Sequence, residues 1–353
     1  MNSKELMIKT LTGRKTGMIP VAPHWWGMYK FQLAGLAGDY SKDINAIASE
    51  KRLKLSDIDA YFYETFKPDW FHLGSAGGNT WDPYRQRKVD ELKREVRKLE
   101  SKTVIDEFVE LSGAVRDEIK ESGTYDHVRI LAEKYGAEVF IALNEGNPIC
   151  GILDPGGLLG FEEGLIALVE KQEMMGHLIF RQYEKMLERV EVLKEYGCHG
   201  YIGSETYCSP DLISPTTYKS LIYPAQKYFY KKVASMGIVP IVYFLGDVLP
   251  LIEYINTLGV SGLMVEESKK TFTLDVISIR KKLREDIALF GNLDSVHILL
   301  NGKREDVENE TLRQLEAAKY GCFIMSNGSP IALNTPEENI RAMIKTARRM
   351  AAN

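Results

Sequence analysis

"GIVPIVYFLGDVLPLIEYINTLGVSGLMVEE", residues 237–267, reads as strand, helix, strand. The run 238–246 is almost continuously apolar and rich in β-branched residues, and 262–265 is likewise apolar. Between them Val248, Leu251, Ile252, Ile255 and Leu258 recur at helical spacing, and Gly259 stops the pattern. Continuously apolar strands are buried on both faces, and strands joined through a helix lie parallel. The same unit recurs along the chain, with runs at 18–25, 70–75, 137–144, 199–205, 238–246, 261–267, 287–294 and 322–329. These eight runs predict an α/β fold, a (β/α)8 TIM barrel, as a single domain over 1–353. Residues 83–135 are helical and highly charged, and are expected to form a helical insertion between strands 2 and 3. That insertion is either a solvated decoration or a lid or docking surface at the barrel mouth.

Composition narrows the function. A formal charge of -4 offers no basic face for nucleic acid, and no apolar run approaches the ~20 residues of a membrane span. The N-terminus lacks the apolar core of a secretory signal. Cys150, Cys198, Cys208 and Cys322 show no Cys-x-x-Cys spacing, as expected for reduced thiols in a cytoplasmic protein.

Barrel enzymes work at the C-terminal ends of their strands. Those ends carry His24, Trp25 and Trp26; Asn144 and Glu145; Glu205; Tyr243 and Asp247; Glu266; Asn292 and Asp294; and Ser329. Glu145, Glu205 and Glu266 end different strands, so they are candidates to converge as a hard-metal site or as a protonated acid. Glu205 and Glu266 are the expected metal pair; helix capping or a loop salt bridge is the alternative for each. Glu267 is expected to face away, because neighbouring strand residues alternate. His24 with its tryptophans either walls a flat ligand site or belongs to the core, and His72 reads as structural.

"LISPTTYKSLIYP" (212–224), a strand ending in "GD" (246–247), "LGVSGLMVEE" (258–267), "IALFGNLDSVHILLNG" (287–302) and "TPEENI" (335–340) together resemble the uroporphyrinogen decarboxylase superfamily. "LTGRKTGMIPV" (11–21) fits its opening helix and strand, so the likeness covers nearly the whole chain, weakly between 80 and 136. True uroporphyrinogen decarboxylases carry arginines after the first strand and an aspartate near the end of the second. Here those places read "PHWWGMYKFQLAG" and "FHLGSAGG", without the cations that a polyanionic tetrapyrrole needs. The corrinoid-dependent methyltransferase branch is the nearer likeness. Its thiol-activating members hold zinc with His-x-Cys and a later Cys; here Tyr243, Leu245 and Ser329 occupy those positions.

The resemblance implies a methyltransferase that moves a methyl group from a small donor, an aryl methyl ether or a methylamine, to a corrinoid protein. Tyr243, Glu205 and Glu266 are its catalytic candidates. His24, Trp25, Trp26, Asn144, Glu145, Asp247, Asn292, Asp294 and Ser329 are candidates for binding substrate. The alternatives are a decarboxylase or lyase of a small acid, and a non-catalytic binding protein. Zinc or another divalent ion stays open, and the assembly is a monomer or homodimer.

Overall fold

The computed structural model describes residues 1–25, 27–33, 35, 44–75 and 83–350. Seven parallel strands follow one another around a curled sheet in chain order. They are β1 (Trp70–Gly74), β2 (Phe140–Gly146), β3 (Gly200–Glu205), β4 (Val239–Phe244), β5 (Gly262–Val265), β6 (Ala288–Phe290) and β7 (Phe323–Ile324). Helices connect them, as in a TIM barrel.

The expected first strand, 18–25, is a narrower element. Pro20 and Pro23 have no N–H to give to a ladder. The segment makes one bridge, Val21 to Met325, with Ala22 N donating to Met325 O and Met325 N to Pro20 O, both at 2.8 Å. On its other side Asp69 N donates to Val21 O at 2.8 Å, and Val21 N donates to the Asp69 carboxylate at 2.7 Å. It therefore spans the gap between the end of β7 and the start of β1. The Asn327 side chain extends this seam: its Oδ1 accepts from His24 N, and its Nδ2 donates to His24 O and Ser329 O.

Strand alternation sorts the core into two layers. Trp70, Phe140, Ala142, Ile202, Ile241, Tyr243, Met264, Phe290 and Ile324 fill the barrel interior, closed below by Met7 and Leu11 of the helix Ser3–Leu11. Ile141, Leu143, Tyr201, Val242, Phe244, Leu263, Val265 and Leu289 face outward into the helical layer.

Four helices lie between β1 and β2: Pro83–Val96, Lys102–Ser112, Arg116–Glu121 and Asp126–Tyr135. Their charges are used on the barrel flank. Arg116 pairs with Glu191 and Glu195, and Asp106 and Glu110 pair with Arg181, all across to the long helix Gln172–Glu195. After β3, Ser214 caps a short helix, accepting from Thr217 N at 3.1 Å. A π-turn, Tyr218–Ile222, then absorbs the break imposed by Pro224, which has no N–H to return to the preceding turn. No helix among the described residues is long and apolar enough to cross a membrane.

The seam makes a direct prediction. Asn327→Ala removes an amide that satisfies buried main-chain groups on both sides of the closure. It should cost about 3 kcal/mol, read as a lowered urea midpoint at unchanged slope.

Candidate active site at the barrel mouth

Register decides which side chains meet. Ser204, Tyr243 and Met264 are paired across β3, β4 and β5, and Tyr243 and Met264 point inward. Glu205, Phe244 and Val265 form the next row, and Phe244 and Val265 point outward. Glu205 lies with that outer row. Its carboxylate is fully buried behind β3, accepting from Tyr230 Oη at 2.7 Å, Asn147 Nδ2 at 2.7 Å and Tyr183 Oη at 3.2 Å, with Cys208 Sγ at 3.4 Å. Burial raises its pKa more than these donors lower it. Glu145 also turns outward, taking the Tyr125 hydroxyl, with the Arg189 guanidinium 3.9 Å away. A cavity of about 460 Å³ adjoins it, outside the barrel and against the long helix.

Glu266, two residues beyond Met264, belongs to the mouth. Its carboxylate accepts from Gly246 N at 2.8 Å. Gly246 sits at φ +84°, where a Cβ would stand 2.4 Å from Ser209 Oγ, so only glycine allows this approach. The expected Glu205–Glu266 pair is therefore corrected: the sheet lies between the two side chains.

Glu266 instead has Glu267 as its companion. Strand β5 ends at Val265, so alternation no longer holds Glu267 on the outer face. The Glu267 carboxylate is buried and accepts from Ser329 N at 2.7 Å, Ser329 Oγ at 2.8 Å and the Lys269 ammonium. Gly328 makes room, since a Cβ there would lie 2.4 Å from Glu267 Oε2. The ammonium stands 3.5 Å from Ser329 Oγ and 3.8 Å from the Glu266 carboxylate. Sequence reasoning missed Lys269 and misplaced Glu267. The signal was the change from a β-branched strand to "EESKK" at 266–270.

Beneath this cluster three rings stack in the barrel throat. His24 lies over His72 at 4.8 Å and meets Tyr243 edge-on at 4.7 Å. His24 Nδ1 bonds Gly328 O at 2.8 Å, and burial lowers its pKa to about 4, so the ring is neutral. Both nitrogens of buried His72 lack a partner among the described residues. The Tyr243 phenol stays protonated, pushed well above its usual range by burial and by the charges of Glu266 and Glu267.

The remaining candidates divide. Asn144 accepts from Ser204 Oγ at 2.7 Å on the inner face. Asn292 holds main chain, donating to Glu266 O at 3.0 Å and Leu274 O at 2.8 Å. Asp294 caps the turn that follows it, taking Val296 N and His297 N, and Asp247 takes Leu249 N. Trp25 is a core residue stacked on Phe62 at 3.9 Å, not a pocket wall. Trp26 falls outside the described residues. A cavity of about 310 Å³ opens beside the cluster, lined by Thr206, Leu212, Leu245, Lys269 and Phe272 among others.

With this geometry in hand, comparison with known proteins decides the family. A family model described as uroporphyrinogen decarboxylase (URO-D) matches residues 87–350, about three quarters of the chain. The chain belongs to that family. Methylcobamide:CoM methyltransferase MtaA of Methanosarcina barkeri is 25% identical over 217 residues, 62% of this chain and 60% of that protein. Methylated-thiol–coenzyme M methyltransferase of Methanosarcina mazei is 27% identical over 156 residues, 43% of this chain and 38% of that one. A uroporphyrinogen decarboxylase of Crocosphaera subtropica is 24% identical over 139 residues, 39% and 37% of the two chains. The chain thus spans roughly two to three fifths of the length of these curated relatives. Among solved structures, a methyltransferase from Methanosarcina mazei superposes with a TM-score of 0.73 at 17% identity, covering 99% of both chains, and so shares the fold.

The zinc site of thiol-activating members does not fit these residues. Tyr243 offers a neutral phenol, Leu245 offers no donor, and the Ser329 hydroxyl is bonded to Glu267 beside an ammonium. Among the described residues no group of three or more His, Cys, Asp or Glu is placed to hold a metal ion.

Glu205 is enclosed by side-chain donors behind β3, and its titration tests whether it serves there as a structural acid. Its folded pKa is raised, so its contribution to stability is fullest below the unfolded value near 4.5 and declines as pH rises through the folded value. Glu205→Gln carries no such titration. The stability of wild type relative to this variant should therefore fall as pH rises from 4.5, followed by urea denaturation, with metal content unchanged.

Proposed function

We propose that this chain is a corrinoid-dependent methyltransferase that takes a methyl group from a small methylated donor and passes it to a corrinoid protein. The relatives named as methylcobamide:CoM methyltransferases support the corrinoid link. The loss of all three thiol-activating ligands argues for the donor side of the exchange, rather than delivery to a thiol. The observation that carries this reading is the grouping of Tyr243, Glu266 and Lys269 at the mouth, with a small, partly apolar cavity opening beside Lys269 and Gly246.

Demethylation needs help at the leaving atom, not at the methyl carbon. The reduced corrinoid, brought by its partner protein, supplies the nucleophile that accepts the methyl group. Glu266 keeps its proton to higher pH than an ordinary carboxyl, because burial outweighs the Gly246 N–H and the Lys269 charge. It can give that proton to the departing oxygen or nitrogen. Tyr243 sits deeper and holds its proton, and so orients the donor by hydrogen bonding. Leu245 and Phe272 line the cavity with apolar surface against the rest of the donor.

The test is spectroscopic. Chemically reduced corrinoid protein, mixed with this chain and O-methyl, N-methyl and S-methyl donors in turn, should become methylated with one donor class. Glu266→Gln and Tyr243→Phe should each lower kcat by about 100-fold or more. Absence of methyl transfer from all three classes would defeat the reading.

A further inference from the structure

The mouth holds two neighbouring carboxylates, a phenol and a hydroxyl, and one side chain stands among them. Lys269 is fixed by a tight turn, with its N–H bonded to Phe272 O at 3.0 Å and the return bond from Phe272 N to Lys269 O at 3.3 Å. Its ammonium bonds Glu267, lies 3.5 Å from Ser329 Oγ and is 3.8 Å from Glu266. An ammonium has three N–H donors, so after Glu267 and Ser329 one is left for a ligand. The side chain is 40% exposed, and it lines the cavity of about 310 Å³ with Thr206, Leu245 and Phe272. The carboxylate lining that cavity, Asp211, is engaged by Asp247 N at 2.8 Å and Ser209 Oγ at 3.1 Å.

We propose that Lys269 is the fixed cation of this mouth, in the role a metal ion would fill, and that the cavity takes an O-methyl donor with an oxygen leaving group. This rests on the methyltransferase reading and narrows it. A methylated ammonium donor leaves as a neutral amine, which a neighbouring cation does not stabilise. An ether oxygen turns negative as its C–O bond breaks, and so gains from Lys269 as the reaction proceeds. The C–O bond breaks, its electron pair remains on oxygen, and the methyl group passes to the reduced corrinoid of the partner. The oxygen, becoming negative, is held by the remaining ammonium N–H and then takes its proton from Glu266. A preorganised donor aimed at developing charge stabilises the transition state more than the bound ether.

The experiment uses the full chain treated with chelator, and 4-nitrophenol as an analogue of the departing phenolate. Absorbance reports the ionisation of the bound probe. Wild type should bind it saturably and lower its pKa, with no further change on adding zinc. Lys269→Met should raise the bound probe's pKa by about one unit or more, the usual effect of losing an adjacent opposite charge. Lys269→Arg should keep most of the wild-type value, which separates loss of charge from loss of fold. An equal pKa in wild type and Lys269→Met, no saturable binding by wild type, or a shift that requires zinc would each overturn the proposal. No corrinoid enters this test. A Lys269-dependent shift alongside failed methyl transfer would therefore defeat the methyltransferase reading alone.

Discussion

The seam between the proline-bearing first run and the end of β7 is the constraint on which the mouth depends. Pro20 and Pro23 leave that run too few N–H groups for a full ladder, so the ring closes through a few bonds and the Asn327 amide. The same closure sets the chemistry. Gly328 O anchors His24, Ser329 O is held by Asn327, and Ser329 N and Oγ grip Glu267. A barrel with a regular eighth ladder would have its main-chain groups paired and would lack these handles. The irregular closure thus converts main-chain polarity that a strand would use internally into positioning of side chains at the mouth.

Much of this was legible from the chain. Apolar runs alternating with helical patterns fixed the strand order, because a parallel strand buried on both faces has few alternatives. The positions of Tyr243 and Glu266 at the barrel mouth, though not their roles, followed from the strand ends. Glu205 was misjudged because its position at a strand end is visible in sequence and its facing is not. Facing came from register: Glu205 shares a row with Phe244 and Val265, while Tyr243 shares one with Ser204 and Met264. Lys269 and Glu267 were hidden for another reason. They follow the last residue of β5, where period-two alternation has ended and a tight turn decides direction.

Glu205, buried at the end of β3, and Glu266, half-buried just beyond β5, show how environment separates one residue type. Among the described residues Glu205 has no cation beside it, and two phenols, an amide and a thiol donate to it. Such a shell satisfies the group and rigidifies the packing of β3 against its helices, but leaves it no route to a ligand. Glu266 has one main-chain donor, partial exposure and a neighbouring ammonium. It is less completely satisfied and lies at the barrel mouth, which is the condition for exchanging a proton with something that binds there.

The residues at 243, 245 and 329 make sense together with Lys269 rather than one at a time. Glu266 and Glu267 are adjacent in sequence, and two ionised carboxylates this close to a buried phenol repel one another unless a positive charge intervenes. A divalent ion would balance both, but it would need donors where Tyr243, Leu245 and Ser329 stand. The ammonium balances one, and burial raises the pKa of the other, Glu266, which lessens the charge left for a metal to balance. Leucine at 245 then has a positive use: it gives the cavity an apolar wall.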